Sequence, residues 1–185
     1  MQSSEYHRAR GARAWRALTS ARRGLLFGAL GDALLAWRSD TFLFGAIAFL
    51  IGHLFYGVLF LRAGIGPRAA LRDPARVFML AATVLMAVVA SQLTPHASSL
   101  FAPLTLYSAV LTLMVLTSYT LVWARWLAML GAALFLVSDI FVAWNTFHPD
   151  GDPAIAFWRS FAGWMIYWAG QSCLCLGALG LHKSR

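Results

Sequence analysis

Residues 24–37 read GLLFGALGDALLAW, and residues 127–144 read LAMLGAALFLVSDIFVAW. Each is an apolar run of helix length interrupted by one carboxylate, Asp32 in the first and Asp139 in the second. A charge near the centre of a bilayer costs about 2.5–3.5 kcal/mol on insertion scales. Residues kept at that cost face the inside of a bundle, where they serve a proton, an ion or a substrate. The two runs therefore fix the expected fold class and give the first pointer to chemistry.

The rest of the chain agrees with them. Of 185 residues, 60% are hydrophobic and 12% charged, and the mean hydropathy is +0.67. That composition excludes an ordinary soluble globule and belongs to a polytopic membrane protein. The expected fold is all-α: a transmembrane helix bundle with six spans, at about 23–38, 41–61, 76–93, 100–121, 125–145 and 157–180, each near the length a bilayer demands. The first is short and has room to begin earlier, in WRALTSARR. Gly- and Pro-punctuated loops separate the spans: GIGPRAALRDPA, QLTPHASS and NTFHPDGDPA. Residues 1–22 read as a basic cytoplasmic segment and residues 23–181 as one helix-bundle domain. The start has the basic-then-apolar order of a signal peptide. Asp32 interrupts the apolar run and no small-residue cleavage site precedes the next one, so the reading is an uncleaved first span.

Charge follows topology. The formal net charge is +8, but the basic residues sit at the ends of apolar runs and give no reason to expect nucleic acid. Arg8, Arg10, Arg13, Arg16, Arg22, Arg23, Arg62, Arg68, Arg72, Arg76, Arg125, Lys183 and Arg185 fall on one side if the spans alternate, leaving only Arg38 and Arg159 on the other. The positive-inside rule then puts both termini in the cytoplasm. The expected location is a bacterial inner (cell) membrane, crossed several times. Cys173 and Cys175 are two residues apart and point to different helix faces, so a mutual disulfide is not expected. His148, Asp150 and Asp152 share a loop without the further ligands or spacing a metal site needs. Neither metal nor cofactor is expected, and no oligomeric state is implied.

Polar residues inside the spans gather at one depth. Asp32 lies six residues before Arg38 and Asp139 six before Asn145, each roughly 9 Å from its helix end. His53 is near the middle of the second span, Tyr107 enters the fourth at a similar level, and Tyr167 is ten residues into the last. His53 with Tyr56 (i,i+3) and Tyr167 with Gln171 (i,i+4) share helix faces. Ser138 and Asn145, seven apart, also align. Gly28, Gly31, Gly45, Gly52, Gly131 and Gly163 let helices approach closely around such a layer. A plainer reading stands beside each residue. The aspartates can be structural, His53 a satisfied core histidine, and the tyrosines and Gln171 interhelical glue. Trp37, Trp123, Trp126, Trp144 and Trp158 fit an interfacial belt.

GDALLAW, FLFGAIAFLIGHLFYGVLF, SDIFVAWNTF and IYWAGQ occur in that order. With Gly31-Asp32, His53 and Tyr56, Tyr107, Ser138-Asp139, and Tyr167 with Gln171, the chain resembles the YhhN-like family of membrane lysoplasmalogenases over about residues 22–181. The resemblance implies an eight-helix fold, two helices more than are visible here before Gly31-Asp32. It also implies hydrolysis of the vinyl ether bond of lysoplasmalogens to a fatty aldehyde and a glycerophospho-base.

That chemistry suits the residues. A vinyl ether resists base and yields to acid: protonation at carbon gives an oxocarbenium ion, water adds, and the hemiacetal collapses to aldehyde and alcohol. Two carboxylates in different environments are a known solution to such a task. The expected catalytic residues are Asp32 and Asp139 as acid and base, in either assignment, with His53 and Tyr167 orienting water or steadying the pair. Tyr56, Tyr107, Ser138, Asn145 and Gln171 are expected to line the substrate, a lipid entering from the bilayer. No G-x-S-x-G motif is present, which disfavours an acyl-enzyme route. A proton-coupled transporter of small molecules or lipids would also keep intramembrane Asp and His, although repeated halves are missing. A scaffold would tolerate Asn at both aspartates.

Overall fold

The computed structural model describes the backbone of residues 2–37, 41–96 and 98–183, with side chains from residue 19 to residue 177 apart from 38–40 and 97. The helices are α1 (Gln2–Trp37), α2 (Phe42–Ala63), α3 (Pro67–Ala70), α4 (Pro74–Ser91), α5 (Phe101–Ser118), α6 (Trp126–Phe147) and α7 (Pro153–Lys183). A 3₁₀ turn, Trp123–Arg125, leads into α6. No strand occurs among the described residues.

The six expected spans correspond to α1, α2 and α4–α7. Among the described residues, four helical stretches are long and apolar enough to cross a membrane: Phe42–Ala63, Pro74–Ser91, Phe101–Ser118 and Trp123–Phe147. The protein is an integral membrane protein on that basis. The flanking helices have mixed composition. α1 opens on QSSEYHRARGARAWRALTSARR, rich in the strong helix formers Ala and Arg, so it is helical from Gln2 rather than from residue 23. α7 dilutes its apolar residues with Trp, Tyr, Gly, Ser and Gln.

α1, α2, α5, α6 and α7 form a ring, each packing on the next and α7 closing onto α1; α4 stands outside, against α5 and the edge of α6. Glycine makes the closest approaches. A Cβ on Gly131 would lie 2.6 Å from the Leu174 nitrogen and 2.7 Å from the Gly170 oxygen, so α6 and α7 meet backbone to backbone. A Cβ on Gly31 would lie 2.6 Å from the Phe49 ring, which packs α2 onto α1. The apolar core holds Phe60, Leu111, Met114, Val115, Phe135 and Leu174, all almost fully buried. Leu85, Val89, Trp158, Trp164 and Trp168 are exposed, as expected for residues that meet lipid.

The two ends of the bundle differ. At one end α2 passes into α3 through Gly66, whose φ of 88° suits glycine. Asp73 caps α4, its Oδ1 accepting from the Ala75 nitrogen at 3.0 Å, with Pro74 at the first helical position. Arg76 is 2% exposed. Its Nη1 donates to the carbonyls of Tyr119 and Leu121, just past the end of α5, and its Nε donates to Asp73 Oδ2 at 3.1 Å. The guanidinium sits 4.8 Å from the Trp123 ring, and Trp123 Nε1 donates to the same Asp73 oxygen at 2.8 Å. The Trp123 bond, with the bonds from Arg76 and the backbone, holds the Asp73 carboxyl below its usual range. The opposite end joins α1 to α2, α4 to α5 and α6 to α7, and there a cavity opens.

Candidate functional site

Asp139 sits on α6, and Tyr107 on α5 donates its hydroxyl proton to Asp139 Oδ2. His53, on α2 and 3% exposed, lies with Nε2 at 3.3 Å from the same Tyr107 hydroxyl. Because the phenol proton is engaged by the carboxylate, His53 Nε2–H is the donor of that second bond. Asp32 sits on α1, and Tyr167 on α7 donates to its Oδ2 at 2.6 Å. Gln171 Nε2 in turn donates to the Tyr167 hydroxyl at 3.1 Å. The two arms share one design: nitrogen donor, phenol, carboxylate. Each carboxylate takes its bond from its own tyrosine, and among the described residues no hydrogen bond joins the two carboxylates.

Two phenylalanines join the arms. The Phe135 ring lies edge-on to His53 at 4.7 Å and to Tyr167 at 5.3 Å. Phe49 stacks near His53 at 6.3 Å and meets Tyr167 edge-on at 6.1 Å. Sequence reasoning did not single out this wedge, because an aromatic residue inside an apolar span looks like any other core residue. Each pair contributes about 0.5–1.5 kcal/mol beyond its burial, so the wedge also fixes the arms relative to one another.

A cavity of about 80 Å³ reaches Asp139 and Tyr107, enough for several waters. Leu35, Phe42, Phe49 and Phe147 wall it, with Thr94 and Thr146 among its few polar lining groups. Asp32 does not line it. One turn before Asp32 on α1, a glycine at position 28 leaves room for Gln171: a Cβ there would sit 3.0 Å from Gln171 Nε2.

The remaining candidates lie around these arms. Tyr56 is 2% exposed and its ring packs on Gly24, but its buried hydroxyl has no hydrogen-bond partner; neither has Gln171 Oε1. Ser138 is buried, and its hydroxyl donates to the Phe135 carbonyl of its own helix at 2.7 Å. Asn145 is nearer the end of α6. Its Oδ1 accepts from Arg159 Nε, and its Nδ2 donates to Ser160 Oγ at 3.2 Å. The structure therefore brings Asp32, Asp139, His53, Tyr107, Tyr167 and Gln171 together, and sets Tyr56, Ser138 and Asn145 around them. No group of three or more His, Cys, Asp or Glu with metal-binding geometry occurs among the described residues.

Chemically the arrangement offers two carboxyl groups, each fed by a donor chain, with one at the base of an apolar-walled cavity. A proton can be held at Asp139 and passed to a group in the cavity, and a positive charge forming there would meet carboxylate and aromatic faces.

Comparison with known proteins agrees in extent with this bundle. A model of the YhhN family matches residues 7–178. The chain is 32% identical over 163 residues to lysoplasmalogenase TMEM86B of Mus musculus, an overlap of 84% of this chain and 61% of that protein. The chain thus spans less than two thirds of the length of that curated relative. No solved structure matches it.

Proposed function

The chain belongs to the YhhN family, and on that premise we propose that it is a membrane hydrolase that cleaves the vinyl ether bond of lysoplasmalogens or related ether lysolipids. The observation that carries the reading is Asp139 at the base of the cavity, hydrogen-bonded by Tyr107, beside a second carboxylate clamped by Tyr167. The named relative supports the substrate class.

In this reading Asp139, as its carboxylic acid, gives a proton to the alkene carbon remote from oxygen. The C=C pair forms the new C–H bond and leaves an oxocarbenium ion. The Asp139 carboxylate and the face of Phe49, which lines the same cavity, stabilise that cation. Water adds to the carbon bonded to oxygen, losing a proton to a carboxylate. The hemiacetal then breaks its C–O bond, giving a fatty aldehyde and the free glycerol hydroxyl of a glycerophospho-base. Asp32 acts as the second acid/base group, with Tyr167 and Gln171 fixing its orientation, while His53 fixes Tyr107. The step needs no metal or cofactor, since acid and water suffice.

The proposal extends to the setting. α1 and α7 complete a six-span bundle with both termini on the cytoplasmic side of a bacterial inner (cell) membrane, as thirteen basic residues on one side suggest. The substrate comes sideways from the bilayer.

The experiment is aldehyde release from a vinyl-ether lysophospholipid by the purified protein, beside Asp32→Asn and Asp139→Asn. Release by the wild type and loss in both folded variants is the expected result. No release by folded wild-type protein overturns the hydrolase reading and favours a transporter.

A further inference from the structure

A second feature lies on the lipid side of α6, and the mechanism does not use it. α4 stands outside the ring, and a groove of about 450 Å³ runs between it and α6. Leu85, Met86 and Val89 line it from α4, Leu93 from the loop that follows, and Ile140 and Trp144 from α6. Its lining surface is almost wholly apolar. Along α4 the lining runs from Ala82 to Ala90, with Leu93 just beyond the helix end, which at 1.5 Å per residue is roughly 12 Å before the loop residue is added. With Leu93 that approaches half of a roughly 30 Å hydrocarbon core, the depth of one leaflet and so of one lipid chain.

A cation lies against one of the lining residues. Trp144 carries the Arg159 guanidinium 5.3 Å from its ring. Arg159 Nε donates to Asn145 and Nη2 donates to the His148 carbonyl at 3.1 Å. Nη1 pairs with the Asp150 carboxylate at 3.8 Å, longer than a direct hydrogen bond, so it keeps donor capacity on a side chain that is 11% exposed. The His148 ring meets the carbonyl of Leu93, another lining residue, at 3.0 Å. An apolar trough about one leaflet deep, with a guanidinium against its Trp144, matches an amphipathic molecule with one long chain and an anionic head. The groove also adjoins the cavity: Ile140 follows Asp139 in the chain, Trp144 follows Ala143, and Leu93 precedes Thr94, three neighbours that line the cavity.

We propose that the α4–α6 groove binds the chain of a single-chain phospholipid whose phosphate is held by Arg159, so that the lipid is held beside the Asp139 cavity. The groove then sets chain-length preference and Arg159 sets the requirement for a phosphate head. The proposal rests on the lysolipid reading for its link to catalysis, but binding and turnover are measured separately.

The test uses the full chain in nanodiscs and a saturated ether lysophospholipid with a diazirine near the end of its chain, a probe that has no vinyl ether to hydrolyse. Photolabelled peptides are then mapped. Labelling concentrated on Pro74–Ser91 and Trp126–Phe147 is expected, and the phosphate-free monoalkyl glycerol analogue should label these helices more weakly. Arg159→Gln should reduce labelling about tenfold, the effect of losing one charge-assisted hydrogen bond. Ala82→Phe, at an exposed groove position, should reduce labelling by long-chain probes more than by short-chain ones. This arm holds even if Arg159→Gln fails to fold. Labelling spread evenly over exposed positions of α7, or indifferent to both Ala82→Phe and the phosphate, overturns the proposal. Groove labelling without aldehyde release sinks the hydrolase reading and leaves the groove standing; aldehyde release without groove labelling does the reverse.

Discussion

Arg76 and Asp139 are both ionisable residues held among apolar helices, at opposite ends of the same bundle. Arg76 reaches two backbone carbonyls, a carboxylate and an indole face. Its partners are all protein groups, and no substrate is needed to complete the cluster. Asp139 receives one phenol proton from Tyr107 and otherwise borders a cavity. The first arrangement closes the end of α5, whose outgoing carbonyls need donors. The second leaves a carboxyl group with capacity for something not in the chain. Burial and polarity alone therefore do not distinguish a structural charge from a chemical one. Whether the partner set is complete does.

Replacing each residue breaks the comparison in a different observable. Asp139→Asn is expected to lower aldehyde release by about 10²–10⁴-fold, the usual worth of a general acid, while the melting temperature in detergent changes little. Arg76→Met is expected to do the opposite. It leaves the Tyr119 and Leu121 carbonyls without their donor, costing about 3 kcal/mol of stability, while the protein that remains folded keeps its kcat/KM. If Arg76→Met abolishes turnover in folded protein, the division between the two ends is wrong.

Smaller changes sharpen it. Gly131→Ala inserts a methyl into the backbone contact between α6 and α7 and should cost about 1–3 kcal/mol, read as a lower midpoint in thermal unfolding. Tyr107→Phe and Tyr167→Phe each remove one phenol from a carboxylate. Each should reduce kcat about tenfold, one hydrogen bond's worth, and a double variant will tell whether the arms act independently. The smallest effect concerns Asp73, whose carboxyl is held below its usual range chiefly by the Trp123 bond. A lowered folded value means a stabilising contribution that is complete above the unfolded value of about 4 and lost as pH falls through the folded one. The difference in melting temperature between wild type and Asp73→Asn should therefore be constant at neutral pH and shrink below about pH 4.

Much of the candidate site was legible in the chain because carboxylate, imidazole and phenol are conspicuous inside apolar runs. Asp32, Asp139, His53, Tyr107, Tyr167 and Gln171 stood out, and their depths suggested one layer. What was not legible was the partnership. Asp32 and Tyr167 are 135 residues apart, and helical periodicity gives the face of each helix without saying which helix it meets. Phe49 and Phe135 gave no signal, since a core phenylalanine and a site phenylalanine obey the same pattern. Arg76 read as a topology charge, as any arginine at a span end does, and only packing made it the cap of α5. Arg159 read as a stray outer cation until Trp144 and Asn145 came beside it.

By itself the sequence determined that this chain is a bundle of apolar helices with carboxylates inside, because the lengths of apolar runs and the cost of a buried charge are local properties. The tertiary structure alone decided that the carboxylates sit in separate tyrosine-clamped arms, that only Asp139 lines the cavity, and that α4 stands outside the ring with a groove behind it. Those follow from which helix faces meet. That choice depends on glycine contacts and side-chain fit between residues far apart in the chain, summed over many weak interactions that no single segment contains.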